Sequence, residues 1–194
     1  MKTEQIKRMV GIAFLMAIVA VLQLLGSSIT IGTFSVSLVL IPIVIGAAVY
    51  GPLAGAILGG VFGLIVTIGC INGTDVGGAM VFAANPFLCI LLVMGKGIAA
   101  GAAAGWVYSL LEKKNQYLAV VVAAIVCPVT NTGVFIIGML LLFKDVLAAW
   151  AGGSDLANYI IFGLVGANFL FETVFNLVCV PVIMAILNAL KKRR

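Results

Sequence analysis

Residues 87–111 read FLCILLVMGKGIAAGAAAGWVYSLL, a run of apolar and small residues in which Lys96 is the only charge. A helix of this length is long enough to cross the ~30 Å hydrocarbon core of a bilayer. A charge at membrane depth costs about 2.5–3.5 kcal/mol on insertion scales, so it is expected to face a cavity or a partner. Glu172 is the second such charge, inside the apolar run 159–190. The two charges predict an integral membrane protein with a polar centre.

The remaining sequence has the composition of a membrane protein throughout. Of the 194 residues, 64% are hydrophobic and only 9% are charged. We predict an all-α integral membrane protein with a single domain, 1–194, that forms a bundle of six transmembrane helices. The predicted spans are about 7–26, 36–49, 53–71, 87–111, 116–143 and 159–190. The second is the shortest, at about 14 residues, against the ~20 residues that a span usually needs.

The basic residues predict the orientation of the bundle. Nine of the eleven lie at the two termini and in the connection at Lys113 and Lys114. By the positive-inside rule, the N and C termini are cytoplasmic. The net charge of +5 therefore reflects orientation in a lipid membrane and does not indicate nucleic-acid binding. The long connections, near 27–35, 72–86 and 144–158, then lie outside and are expected to cover a site that opens outward.

Polar side chains of different spans are predicted to meet at similar depths. At ~1.5 Å per residue, Lys96 lies roughly 14 Å from the outer end of its span, Asn131 roughly 18 Å and Glu172 roughly 20 Å. Asn168, Glu172 and Asn176 share one helix face through their spacing of four residues. A cavity that binds a small polar molecule is one interpretation. A structural Lys96–Glu172 pair and an ion or proton relay are the others.

The sequence does not favour an enzyme. It contains no histidine, its four cysteines have no metal-ligand spacing, and no paired carboxylates or nucleophile–base pattern occur. The residues around Lys96 do not form a phosphate-binding loop, because Gly97 stands where a Ser or Thr is required. We expect no catalytic residues, no metal and no cofactor, and we interpret the cysteines as small buried hydrophobic residues.

Small residues recur at intervals of four. Gly55, Gly59 and Gly63 form one stripe, and Gly97, Gly101 and Gly105 form another. Such stripes let two helix backbones approach closely, and we expect these two to pack inside the bundle. In the first span, Ala13 and Ala17 have the same spacing. They predict either internal packing or a docking face for another membrane protein.

Several motifs in this order resemble the substrate-binding (S) components of energy-coupling-factor (ECF) vitamin transporters over essentially the whole chain. They are Leu40–Gly46 (LIPIVIG), Tyr50–Ala56 (YGPLAGA), Asn85-Pro86-Phe87, Lys96, Thr130-Asn131-Thr132, and Gly166-Ala167-Asn168 followed by Glu172. The set is most similar to the pantothenate type. Lys96 stands where that pattern usually has arginine, so a planar fork is replaced by a point charge.

The resemblance implies a multi-pass protein of the bacterial plasma membrane that captures a water-soluble vitamin from outside, with pantothenate the first expectation. It implies partners, namely a coupling transmembrane subunit and two ATPase subunits. Ala13 and Ala17 would contact the coupling subunit. The implied substrate-binding residues are Asn85, Lys96, Asn131, Asn168 and Glu172.

Two other functions remain open at this point. A stand-alone secondary transporter would carry its substrate without ATPases, although no convincing inverted repeat is present. A membrane scaffold protein would use Lys96 and Glu172 as a structural pair and bind no small molecule.

Overall fold

The computed structural model describes residues 2–26, 30–31, 34–35, 38–153 and 155–191, and it describes no side chains for residues 2–3, 30–31, 34–35, 156, 164–168 and 191. Within these residues the chain is helical apart from one antiparallel ladder of two two-residue strands. The elements are α1 (Lys2–Gly26), β1 (Thr30–Ile31), β2 (Phe34–Ser35), α2 (Leu40–Tyr50), α3 (Pro52–Asn72), α4 (Val76–Ala84), α5 (Pro86–Leu111), α6 (Gln116–Leu142), α7 (Lys144–Ala151), α8 (Leu156–Asn158), a π-helix (Tyr159–Phe169), α9 (Leu170–Val178) and α10 (Val180–Lys191).

The prediction of a helical membrane protein is confirmed. Among the described residues, four helices are long and apolar enough to span a membrane: Glu4–Gly26, Pro52–Asn72, Pro86–Leu111 and Gln116–Leu142. The pair α9 and α10, bent by 44°, is a fifth candidate if its two helices form one span. In the described part of the predicted second span the helix is α2, whose 11 residues are too few to cross the hydrocarbon core as a helix. The structure therefore gives four or five candidate spans.

Local sequence explains where the long helices begin. Pro52 and Pro86 stand in the first turns of α3 and α5, where a missing N–H costs nothing. The preceding Gly51 has φ 91°, a left-handed conformation that favours glycine. Asn85 caps α5 by accepting a hydrogen bond from the Leu88 N–H at 3.1 Å.

Helices α3 and α5 approach each other through their glycine stripes, as the sequence predicts. A Cβ added at Gly59 would collide with the carbonyl of Gly97, and one added at Gly101 would collide with the carbonyl of Gly55. Backbone therefore faces backbone along this pair. The interface brings Phe62 of α3, fully buried, to the helix that carries Lys96.

Several helix ends lie together at one end of the bundle. Arg8 near the start of α1 donates to the Tyr50 carbonyl at the end of α2, at 2.8 Å. A cavity of about 240 Å³ at this end is lined by residues from the C-terminal parts of α2, α5 and α10. Helix α2 therefore returns to the end where α1 begins, and α10 finishes there as well.

The predicted outer connections contain helices that the sequence interpretation did not include. Helix α4 lies within the connection 72–86 and is capped by Asp75, whose carboxylate accepts from the Gly78 N–H at 3.0 Å. Helix α7 lies within the connection 144–158. The two are joined where the Trp150 indole N–H points at the Met80 sulfur, 3.1 Å away. A compact helical cap thus forms beside the ends of α3 and α5.

The last predicted span, 159–190, is not one regular helix. It begins as a π-helix, continues as α9 and breaks at Cys179 before α10. Pro181 explains the break, because its ring excludes the carbonyl of Leu177 and it has no N–H to donate.

Candidate functional site

The ammonium group of Lys96 lies among aromatic rings. Its Nζ is 4.7 Å from the centroid of the Phe135 ring on α6 and 5.8 Å from that of Phe62 on α3. Both distances fall within the ~6 Å range of a cation–π interaction. Among the described residues, the Lys96 ammonium forms no ion pair and donates no hydrogen bond. A half-buried cation is therefore in place with its hydrogen-bonding capacity unused.

Asn131 provides a second unused polar group. Its side chain is only 4% exposed, and its Oδ1 accepts no hydrogen bond from any residue that the structure describes. A buried acceptor without a donor costs about 1–3 kcal/mol. Asn131 and Phe135 are four residues apart on α6, so they share one helix face. The unused acceptor and the ring under Lys96 therefore line the same side of α6.

Glu172 is the buried carboxylate of α9, with 4% of its surface exposed. One turn further on, Asn176 donates from Nδ2 to the Ala124 carbonyl of α6 at 3.1 Å. The Glu172 charge acts on Cys127, a fully buried residue of α6. The hydrogen bond, together with the proximity of the Glu172 charge to Cys127, indicates that α9 packs antiparallel to α6, with Glu172 near the level of Cys127 and Pro128.

The positions of the polar groups can therefore be compared along α6. Lys96 lies at the level of Phe135, Asn131 lies one turn away, and Glu172 lies near Pro128. Seven residues of α6 separate the levels of the two charges, which is about 10 Å at the rise of an α-helix. Lys96 and Glu172 form no ion pair within the described part of the chain. The geometry thus gives a cation and a carboxylate at two depths, with an amide oxygen between them, and it does not support a structural pair.

The other two residues of the predicted site are Asn85 and Asn168. Asn85 is exposed, and its side-chain oxygen is engaged in capping α5, so it lies outside this cluster. Asn168 falls in the π-helix, and its side chain lies outside the described residues. The structure brings Lys96 and Asn131 to one side of α6 and places Glu172 one to two turns further along.

Sequence reasoning missed the aromatic members of the site. The spacing Asn131–Phe135 could have indicated Phe135, since residues four apart share a face. Phe62 belongs to another helix, and no local signal connects it to Lys96. Thr173, next to Glu172, also has a buried hydroxyl oxygen that has no hydrogen-bond partner among the residues placed by the structure.

No metal centre is found in the part of the chain that the structure describes. Its Cys, Asp and Glu residues form no group of three that could hold an ion. On α1, the predicted docking residues Ala13 and Ala17 are both exposed.

Comparisons with known proteins identify the family. Neither the curated proteins nor the solved structures give a significant match to this chain. The family model described as "ECF transporter, substrate-specific component" matches residues 7–184, which is most of the chain. An S component is a multi-pass transporter subunit of the cell membrane and not an enzyme, so the stand-alone transporter and the scaffold are set aside. The chain belongs to the family of substrate-specific components of ECF transporters.

Proposed function

We propose that this S component binds pantothenate, or a closely related metabolite with a carboxylate at one end and hydroxyl groups at the other. The observation that carries the proposal is the Lys96 ammonium, a half-buried cation that has aromatic neighbours but no acceptor among the described residues. A ligand carboxylate would supply that acceptor. A charge-assisted hydrogen bond in a low-dielectric site is among the stronger polar contacts that a protein makes.

The spacing of the other polar groups fits an elongated molecule. Pantothenate carries a carboxylate at one end, an amide in the middle and two hydroxyls at the other end. With the carboxylate at Lys96, the amide N–H would donate to Asn131 Oδ1, and a hydroxyl would donate to Glu172. The levels of the two charges are about 10 Å apart along α6, which is comparable with the length of this molecule. Asn168 and Asn85 remain proposed ligand-binding residues through the family resemblance.

We further propose six membrane crossings with both termini in the cytoplasm. The meeting of the start of α1 with the end of α2 supports a return crossing between residues 26 and 50. The end of α10 at the same end of the bundle supports an even number of crossings. The basic residues at the termini and at Lys113 and Lys114 assign that end to the cytoplasm.

The partners follow from this orientation. A coupling transmembrane subunit would contact α1 through Ala13 and Ala17, and two ATPase subunits would drive uptake. The exposure of both alanines on a mainly uncovered helix supports this assignment.

The test is ligand binding to the purified protein, measured by thermal shift and by native mass spectrometry. Pantothenate is expected to raise the melting temperature, since a ligand that binds only the folded state stabilises it. Pantothenol, in which an alcohol replaces the carboxylate, is expected to bind at least tenfold more weakly. Replacing Lys96 or Glu172 by Ala should weaken pantothenate binding by tenfold or more.

Lys144→Ala is the matched control, because Lys144 is an exposed lysine on α7 and not a member of the cluster. Wild-type affinity in folded Lys96→Ala and Glu172→Ala proteins would remove these residues from the site. Binding of a different vitamin that depends on Lys96 would keep the site and change the substrate.

A further inference from the structure

Two cysteines from different helices meet beneath the α4 helix. Cys70 lies in the last turn of α3, and Cys89 lies in the first turn of α5. Both side chains are almost completely buried. Both also border the backbone of Gly78 on α4. The Cys89 sulfur is 3.9 Å from the Gly78 carbonyl oxygen, and a Cβ added at Gly78 would collide with the Cys70 sulfur.

The close approach of α3 and α5 accounts for this meeting. Packed helices are usually separated by about 8–10 Å between axes. Here the glycine stripes bring backbone against backbone, as at Gly59 and Gly97. Short side chains can then bridge the two helices, and a disulfide requires such a short separation. The remaining cysteines differ, because Cys127 and Cys179 lie on α6 and at the α9–α10 break.

We propose that Cys70 and Cys89 form a dithiol–disulfide site that staples the end of α3 to the beginning of α5. The co-reactant is a small disulfide-class oxidant, R–S–S–R. One cysteine attacks a sulfur of the oxidant and releases the first R–SH. The second cysteine attacks the resulting mixed disulfide, releases the second R–SH and completes the Cys70–Cys89 bond. Two electrons and both thiol protons pass to the oxidant.

The position of the pair gives the bond a defined effect. In the orientation proposed above, this end of the bundle faces outward, on the side where disulfides persist. The bond would fix the two helix ends that flank α4.

The experiment treats membranes that contain the full-length protein with 4,4′-dithiodipyridine, a small apolar disulfide. Mass spectrometry of the digested protein then reads out each cysteine. We expect the Cys70 and Cys89 peptides to be joined by a disulfide without a pyridyl adduct. Cys179, which is partly exposed and alone, should carry an adduct and shows that the reagent has reached the protein.

Two variants test whether the disulfide joins Cys70 to Cys89. In Cys89→Ala, Cys70 has no partner and should remain a thiol or carry an adduct, whereas Cys127→Ala should leave the disulfide unchanged. The disulfide should also raise the melting temperature by a few degrees, and a reductant should abolish the shift. Separate adducts on Cys70 and Cys89, or two free thiols beside a labelled Cys179, would overturn the proposal.

Discussion

The buried amide oxygen of Asn131 destabilises the ligand-free protein. Within the described part of the chain it is buried without a donor, which costs about 1–3 kcal/mol relative to a satisfied or apolar group. Replacing Asn131 by Leu removes that acceptor at similar volume. We expect Asn131→Leu to melt at the same or a higher temperature without ligand and to bind pantothenate at least tenfold more weakly. Thermal unfolding with and without pantothenate measures both effects.

Asn176 provides the matched control for this prediction. It is buried on the neighbouring helix, but its amide already donates to the Ala124 carbonyl. Asn176→Leu should therefore lower the melting temperature, by the equivalent of about 1 kcal/mol for the lost hydrogen bond. An Asn131→Leu protein that is destabilised in the same way and binds normally would show that Asn131 is structural.

At the residue scale, counting along the chain predicted an order of the polar residues but gave no contacts across helices. Counting residues from the span ends predicted that Lys96 lies nearer the outer end than Asn131 and Glu172. In the structure, Phe135 beside Lys96 lies one turn closer to the Leu142 end of α6 than Asn131 does. The rings of Phe62 and Phe135 around Lys96 depend on how three helices are rotated against one another. That rotation depends on side-chain packing, which no local pattern of the sequence records.

Among the helices, the α3–α5 contact is the most sensitive to added volume. A Cβ at Gly59 would meet the carbonyl oxygen and carbon of Gly97, which cannot rotate away as a side chain does. We expect Gly59→Ala to be destabilised by about 1–3 kcal/mol, the usual cost of overpacking. The yield of monodisperse protein and its melting temperature should both fall.

Gly60 lies beside Gly59 on α3 and serves as its control. A Cβ there would meet only the Ile98 side chain, at 3.6 Å, an ordinary contact. Gly60→Ala should be neutral or stabilising, because alanine is favoured over glycine in a helix by about 0.5–1 kcal/mol. Equal losses in the two variants would mean that close backbone approach does not explain the stripe.

The short α2 helix tests the proposed number of crossings. Its residues Leu40, Ile43 and Val44 are almost completely buried, so it packs inside the bundle. A green fluorescent protein fused after Tyr50 should fluoresce, because that protein folds in the cytoplasm. Alkaline phosphatase at the same position should be inactive. The reverse pattern would mean that the chain does not return across the membrane at α2.

At the element scale, hydropathy predicted the long spans within a few residues but not the form of the last one. The predicted span 159–190 becomes a π-helix, α9 and α10, because an apolar run specifies burial and not helix type. Pro181 was a visible cause of the bend. The sequence also indicates where α4 begins, because Asp75 is a favourable N-cap residue before an apolar segment.

Across the whole molecule, large apolar side chains remain exposed, as expected for a lipid-facing surface. Helix α1 is the least covered of the long helices, with 22% of its most apolar window buried. Its exposed residues include Met9, Phe14 and Leu24 beside Ala13 and Ala17. A helix so loosely enclosed by its own chain leaves a full face for lipid or for another subunit.

The exposed face of α1 predicts where the coupling subunit docks. Small residues four apart let a second helix approach closely, and larger side chains prevent it. We expect the double variant Ala13→Leu, Ala17→Leu to bind pantothenate normally but to lose co-purification with the coupling subunit and ATP-driven uptake. Ala185 and Ala189 of α10 are also exposed and four apart, so their double Leu variant is the control. Assembly that survives the change on α1 but fails after the change on α10 would move the docking face to α10.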